Sequence, residues 1–143
     1  MEEMHINIVA VMVAVVANFF LGFLWYTPLF GKAWAKEMGL DTSVKSSGGQ
    51  MAKGMLIMVI GNFFLAYVFA HNIAAWRYVP GTSEMSMFSN IMSSTIFTWL
   101  GFYLPVDLGT VAWENKSWKL FGINTSYHFT MLFVASAILT YKQ

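Results

Sequence analysis

The sequence predicts an all-α integral membrane protein: four transmembrane helices in an antiparallel bundle, with a short interfacial helix after the first. Three observations predict it. First, only 10% of the 143 residues are charged (8 Lys+Arg, 7 Asp+Glu). A soluble domain is about one quarter charged, so this chain has too few charges to cover a water-facing surface. Second, those charges are bunched. They leave uncharged runs from Met4 to Gly31, Gly54 to Trp76, Met85 to Val106 and Leu120 to Tyr141, of 28, 23, 22 and 22 residues. A helix needs about 20 apolar residues to cross about 30 Å of hydrocarbon. Third, none of these runs alternates with the period of two expected of barrel strands, the other fold that satisfies its backbone in lipid.

The spans fall at about 5–28, 54–77, 85–108 and 119–141, in a single domain covering 1–143. The first follows an acidic Met-Glu-Glu end and far exceeds a signal-peptide core, so it is read as a retained helix. Trp25 and Tyr26 anchor its end, and Pro28 stops it by denying the next amide. Phe30, Trp34, Met38 and Leu40, interleaved with Lys32, Lys36 and Glu37, suit a short helix lying in the interface. A Ser- and Gly-rich linker from Thr42 to Gln50 leads to the second span. The third is the least apolar: Ser86, Ser89, Asn90, Ser93, Ser94, Thr95 and Thr98 crowd its first half, where hydroxyls can bond back to their own carbonyls. Pro105 interrupts its end. Trp99 is the mid-span tryptophan and is expected to pack inside. Trp25, Trp34, Trp76, Trp113 and Trp118 sit near helix ends, as interfacial anchors do.

Orientation follows from the cations. Lys32, Lys36, Lys45 and Lys53 in the first loop and Lys116 and Lys119 in the third make six, against Arg77 and Lys142 on the other side. Glu2, Glu3 and Glu84 also fall on that other side. Both termini are therefore expected outside, with loops one and three cytoplasmic, in the cell (inner) membrane. The surroundings would be membrane lipids. A net charge of +1 without basic clusters excludes a nucleic-acid partner.

A polar layer crosses the spans. Asn18-Phe19-Phe20-Leu21 recurs as Asn62-Phe63-Phe64-Leu65. Ala10, Ala14, Asn18 and Gly22 form one stripe at a spacing of four, and Asn62, Ala66, Ala70 and Ala74 form another. Such small-residue faces let membrane helices approach closely, within one chain or between copies in a homo-oligomer. Asn18 and Asn62 share a depth of roughly 18 Å from the outer edge, so an amide–amide bond between them is expected. His128, with Asn124 one turn below, enters the same layer together with Ser94 and Thr98. It has no convergent partner visible in the sequence.

Chemical signatures are absent. There is no phosphate loop, no His-Glu-x-x-His and no Gly-x-Ser-x-Gly. His5, His71 and His128 lie in different segments, so no metal site, cofactor or catalytic group is assigned. Zero cysteine excludes thiol chemistry. Asp107 and Glu114 fall near the cytoplasmic end of the third span and are expected to pair with Lys116 and Lys119 at the surface. No carboxylate is then left in mid-membrane, which argues against proton-coupled transport.

The segment Leu21-Gly22-Phe23-Leu24-Trp25-Tyr26-Thr27-Pro28-Leu29-Phe30-Gly31-Lys32-Ala33-Trp34 resembles the hallmark of an uncharacterised bacterial membrane family, domain of unknown function 1761. Glu114-Asn115-Lys116-Ser117-Trp118-Lys119, leading to Tyr127 and His128, is also similar. The resemblance implies a small four-helix membrane protein and carries no activity with it. On the residues alone, Tyr26, Lys32 and Trp34 either anchor a loop or frame the mouth of a cytoplasm-facing cavity. The leading expectation is a non-catalytic structural or accessory bundle that self-associates. The alternative is a small transporter or channel lined by the polar layer.

Overall fold

The computed structural model describes residues 4–142, which form helices and, among these residues, no strand. Glu2 and Glu3 lie outside the described residues. Helix α1 spans Ile8–Leu24 and runs straight into a π-helical turn, Trp25–Leu29. The short α2 covers Gly31–Glu37 and α3 covers Gly48–Trp76. After a 3-10 turn at Thr82–Glu84, α4 (Met87–Thr98), a second π turn (Trp99–Tyr103) and α5 (Leu104–Glu114) form one unbroken helical run. Helix α6, Trp118–Lys142, ends the chain. Two helices, Ile8–Leu29 and Gly48–Trp76, are long and apolar enough to cross a membrane.

Local chemistry explains the boundaries. The Asn7 side chain accepts a bond from the Ala10 amide and opens α1. Ser47 and Gln50 form a reciprocal capping box, so α3 starts at Gly48, inside the stretch expected to be linker. Pro28 does not stop α1 outright. It sits within the π turn, whose wider winding closes with the Phe30 amide on the Trp25 carbonyl at 2.8 Å. Pro105 likewise follows a π turn, and the helix continues beyond it to Glu114. Gly31 is required after the first π turn, because a Cβ there would lie 2.7 Å from the Tyr26 carbonyl oxygen. The chain turns at Asn115, whose φ of 53° is left-handed.

Helix α6 is the hub, touching α1, α2, α3, α4 and α5. It runs antiparallel to α1: the Asn7 amide donates to the Lys142 carbonyl at one end, and Trp25 Nε1 donates to the Ile123 carbonyl toward the other. Val11, Leu132, Ala135 and Leu139 are buried along this seam. Helix α3 packs on α1 through the two small-residue stripes. Ala10, Ala14 and Asn18 are buried on one side, and Asn62, Ala66, Ala70 and Ala74 on the other. The two stripes thus meet within one chain, as their spacing led us to expect. The amides of Asn18 and Asn62 lie inside, but the bond expected between them is not made: both polar atoms of Asn18 and Nδ2 of Asn62 are without partners among the described residues.

Large apolar side chains cover much of the surface, and a few polar ones lie inside. Phe88, Phe97, Phe102 and Val106 are exposed on the α4–α5 run, while Thr95 and Asp107 of the same run are buried. Trp76, Trp113 and Trp118 are exposed at helix ends. Trp25 and Trp34 differ from the anchors expected of them: both are half-buried and packed within the bundle.

Candidate functional site

The site forms where α5 and α6 cross. Asp107 follows Tyr103 by one helical turn, so both face α6 from α5 and the π turn before it. His128 faces them, with Nδ1 2.8 Å from Asp107 Oδ2. Asp107 is only 5% exposed, whereas the His128 side chain keeps 26% of its surface. The Tyr103 and Tyr127 rings lie 4.9 and 5.7 Å from the imidazole. At 1.5 Å per residue, Asp107 sits about 10 Å in from the Glu114 end of its helix and His128 about 15 Å in from the Trp118 end.

This placement corrects two expectations. Asp107 does not pair with a lysine at the surface; it is buried against His128, because the helix continues past Pro105 and carries the carboxylate inward. His128 therefore has the partner that the sequence did not reveal. Lys119 instead pairs with Glu37 of α2 at 3.9 Å, and Glu37 also accepts a bond from Ser117. These contacts staple α2 to the start of α6. Glu114, the last residue of α5, is exposed.

The Trp25-Tyr26-x-Pro28 segment closes the site from the α1 side. The Tyr26 hydroxyl donates to Asn124 Oδ1 at 2.9 Å, and its ring meets Tyr127 at 5.0 Å and Trp34 at 5.6 Å. Gly22 makes room for this layer: a Cβ there would stand 3.0 Å from the Tyr127 hydroxyl, which is buried without a partner among the described residues. Lys32 remains on the exposed side of α2.

The α4–α6 contact continues the polar theme away from the pair. Ser94 bonds back to the Ile91 carbonyl as expected, but its hydroxyl also meets Ser136 across the contact at 2.6 Å. Thr95 is fully buried. Trp99 Nε1 bonds both the carbonyl and the hydroxyl of Thr125 at 3.1 Å. Thr98, half-buried, lines a cavity on the far side of α4.

Of the residues singled out from the sequence, Trp25, Tyr26, Trp34, Asp107, Asn124 and His128 therefore converge. Asn18 and Asn62 belong to the α1–α3 core, Ser94 and Thr98 to the other end of the α4–α6 seam, and Lys32 and Glu114 to the surface. Tyr103, Thr125, Tyr127 and Ser136 belong to the polar interior and were not singled out as site residues. The spacing of four between Tyr103 and Asp107 was the signal that could have found the first.

One proton joins His128 Nδ1 to Asp107 Oδ2, and Nε2 is the ring nitrogen left for other partners. Among the described residues, no three His, Asp or Glu side chains converge as a metal site would need.

The family described as protein of unknown function (DUF1761) matches residues 9–140 of the chain. No curated protein matches it, and no solved structure does.

Proposed function

We propose a role for this chain, which belongs to the DUF1761 family of proteins of unknown function, from its site: a small proton-conducting membrane protein whose buried Asp107–His128 pair passes the proton. The observation that carries this reading is the 2.8 Å contact between an almost fully buried carboxylate and a partly accessible imidazole. Ionisable residues inside a membrane are costly and mark ion or proton pathways by default. Here two of them face one another, with three tyrosines around them. The hydroxyls of Ser94, Ser136 and Thr95 extend the polar seam toward the far end of α4.

The reading takes the protein as a four-span antiparallel bundle. Helix α6 has 25 residues, about 37 Å at 1.5 Å per residue, and the α4–α5 run is longer still, so both have the length to cross. Their lower hydropathy has a physical cause: α6 is surrounded by the other helices, and the polar side of α4–α5 faces it rather than lipid. Lysines 32, 36, 45, 53, 116 and 119 support an orientation with the α2 end, and the nearer approach to the pair, on the cytoplasmic side.

Reconstitution into liposomes containing a pH-sensitive dye tests the proposal. With potassium and valinomycin setting the voltage, the wild type dissipates a pH gradient faster than protein-free liposomes, and Asp107→Asn and His128→Gln return the rate toward that baseline. A wild type no faster than empty liposomes would support the purely structural role instead, and an Asp107→Asn variant conducting like wild type would remove the pair from the path.

A further inference from the structure

Away from the Asp107–His128 pair, α3 and α4 both pack on α6 and leave between them a cavity of about 590 Å³. Small-molecule sites span about 300–1,000 Å³ and are mostly apolar, with a few polar groups that fix the ligand. This cavity is built that way. Ile73 and Trp76 of α3 and Phe97 of α4 supply large apolar surface. Trp76 is 55% and Phe97 71% exposed, so the space opens sideways onto the apolar surface of the bundle.

The polar groups on the α4 and α6 side include neutral hydroxyls. Ser94 and Thr98, one turn apart on α4, line the cavity together with Ser93, and Thr140 lines it from α6. Ser94 already bonds the Ile91 carbonyl and Ser136. Thr140 differs. Thr130 of the same helix bonds back to the Ser126 carbonyl at 2.8 Å, whereas the Thr140 hydroxyl is buried without a partner among the described residues. A buried hydroxyl left unpaired is unfavourable, and a ligand hydroxyl at this wall can both donate to it and accept from it.

Charge decides the kind of head. No carboxylate is among the described residues lining the cavity, so a cationic head finds no counter-charge. Arg77 does line it, but Arg77 is already engaged with another group. An ionised head of either sign would lose its water without gaining a fresh partner, and burying an unpaired charge costs far more than burying a hydroxyl.

We propose that this cavity binds a single-chain amphiphile with an uncharged hydroxyl head, taken from the bilayer through the Trp76–Phe97 opening. The chain lies along these two rings, and the head hydroxyl bonds Thr140. The proposal concerns binding alone and does not depend on proton conduction.

The test uses the full chain in phosphatidylcholine nanodiscs at pH 9 and 11-bromoundecanol, whose bromine quenches a tryptophan it touches. Saturable quenching is expected in the wild type and is lost in Trp76→Phe, in which the remaining tryptophans report nonspecific partitioning. Thr140→Val keeps the shape, removes the hydroxyl and weakens the midpoint about fivefold, the scale of one neutral hydrogen bond. Ser93→Phe, at a half-buried lining residue, fills the space and abolishes saturation. The carboxylate 11-bromoundecanoate, ionised at this pH, binds about tenfold more weakly than the alcohol. Circular dichroism confirms that each variant keeps its helices. Three results would overturn the proposal: quenching that does not saturate, equal binding of the carboxylate, or unchanged binding in Ser93→Phe or Thr140→Val. Displacement of the alcohol by added diacylglycerol would assign the site to a two-chain lipid and overturn it as well.

Discussion

Separating Asp107 from His128 gives an asymmetric result that the burial of each group dictates. His128→Ala strands the carboxylate, which is 5% exposed and has no other hydrogen-bond partner among the described residues. Removing one member of a buried pair costs about 3 kcal/mol or more. Asp107→Ala leaves an imidazole that keeps a quarter of its surface exposed. That loss is one charge-assisted hydrogen bond, about 1.5 kcal/mol. Asp107→Asn keeps the shape and a hydrogen bond, and costs about 1 kcal/mol or less. The double alanine variant strands nothing, so it is expected to fall short of the sum of the singles by about 2 kcal/mol. The assay is reversible unfolding in mixed micelles as denaturing detergent is added, followed by circular dichroism and tryptophan fluorescence. Additivity within about 0.5 kcal/mol, or a larger loss for Asp107→Ala than for His128→Ala, would refute the reasoning.

Three further substitutions probe the packing around the site. Gly22→Leu drives a side chain into the buried Tyr127 hydroxyl, 3.0 Å from the Cβ position, and is expected to cost about 3 kcal/mol in the same unfolding assay. Gly31→Ala places a Cβ 2.7 Å from the Tyr26 carbonyl oxygen, a backbone atom that cannot rotate away. The π turn must then shift, and a loss of about 1–3 kcal/mol should accompany a changed tyrosine ring signal by NMR. Asn18→Ala removes a buried amide with neither atom bonded among the described residues, so stability should stay within about 1 kcal/mol of wild type. A loss above about 2 kcal/mol would mean that the amide has a partner.

What the sequence reveals differs by feature, for physical reasons. The helical character, the small-residue contact between α1 and α3 and the short α2 follow from periodicity and charge gaps, which are local. The interior placement of Asp107 does not. Its position in the chain, just after an uncharged run and near two lysines, reads as an interface. The helix in fact continues to Glu114 because the π turn before Leu104 absorbs Pro105, a long-range consequence of packing on α6. The Asn18–Asn62 bond fails for a related reason. Equal depth brings two amides to one level, but not to bonding geometry, which depends on helix rotation. The convergence of Trp25 and Tyr26 on Ile123 and Asn124 joins residues 98 apart in sequence, and no spacing rule reaches that far.

Infrared difference spectroscopy of the protein in bilayers tests the central claim most directly, because it observes the pair itself. Stepping the pH should change a carboxyl band and an imidazole ring band together, and Asp107→Asn should remove the first and alter the second. An imidazole response identical in wild type and Asp107→Asn would show that the two groups are not coupled, and would contradict the account.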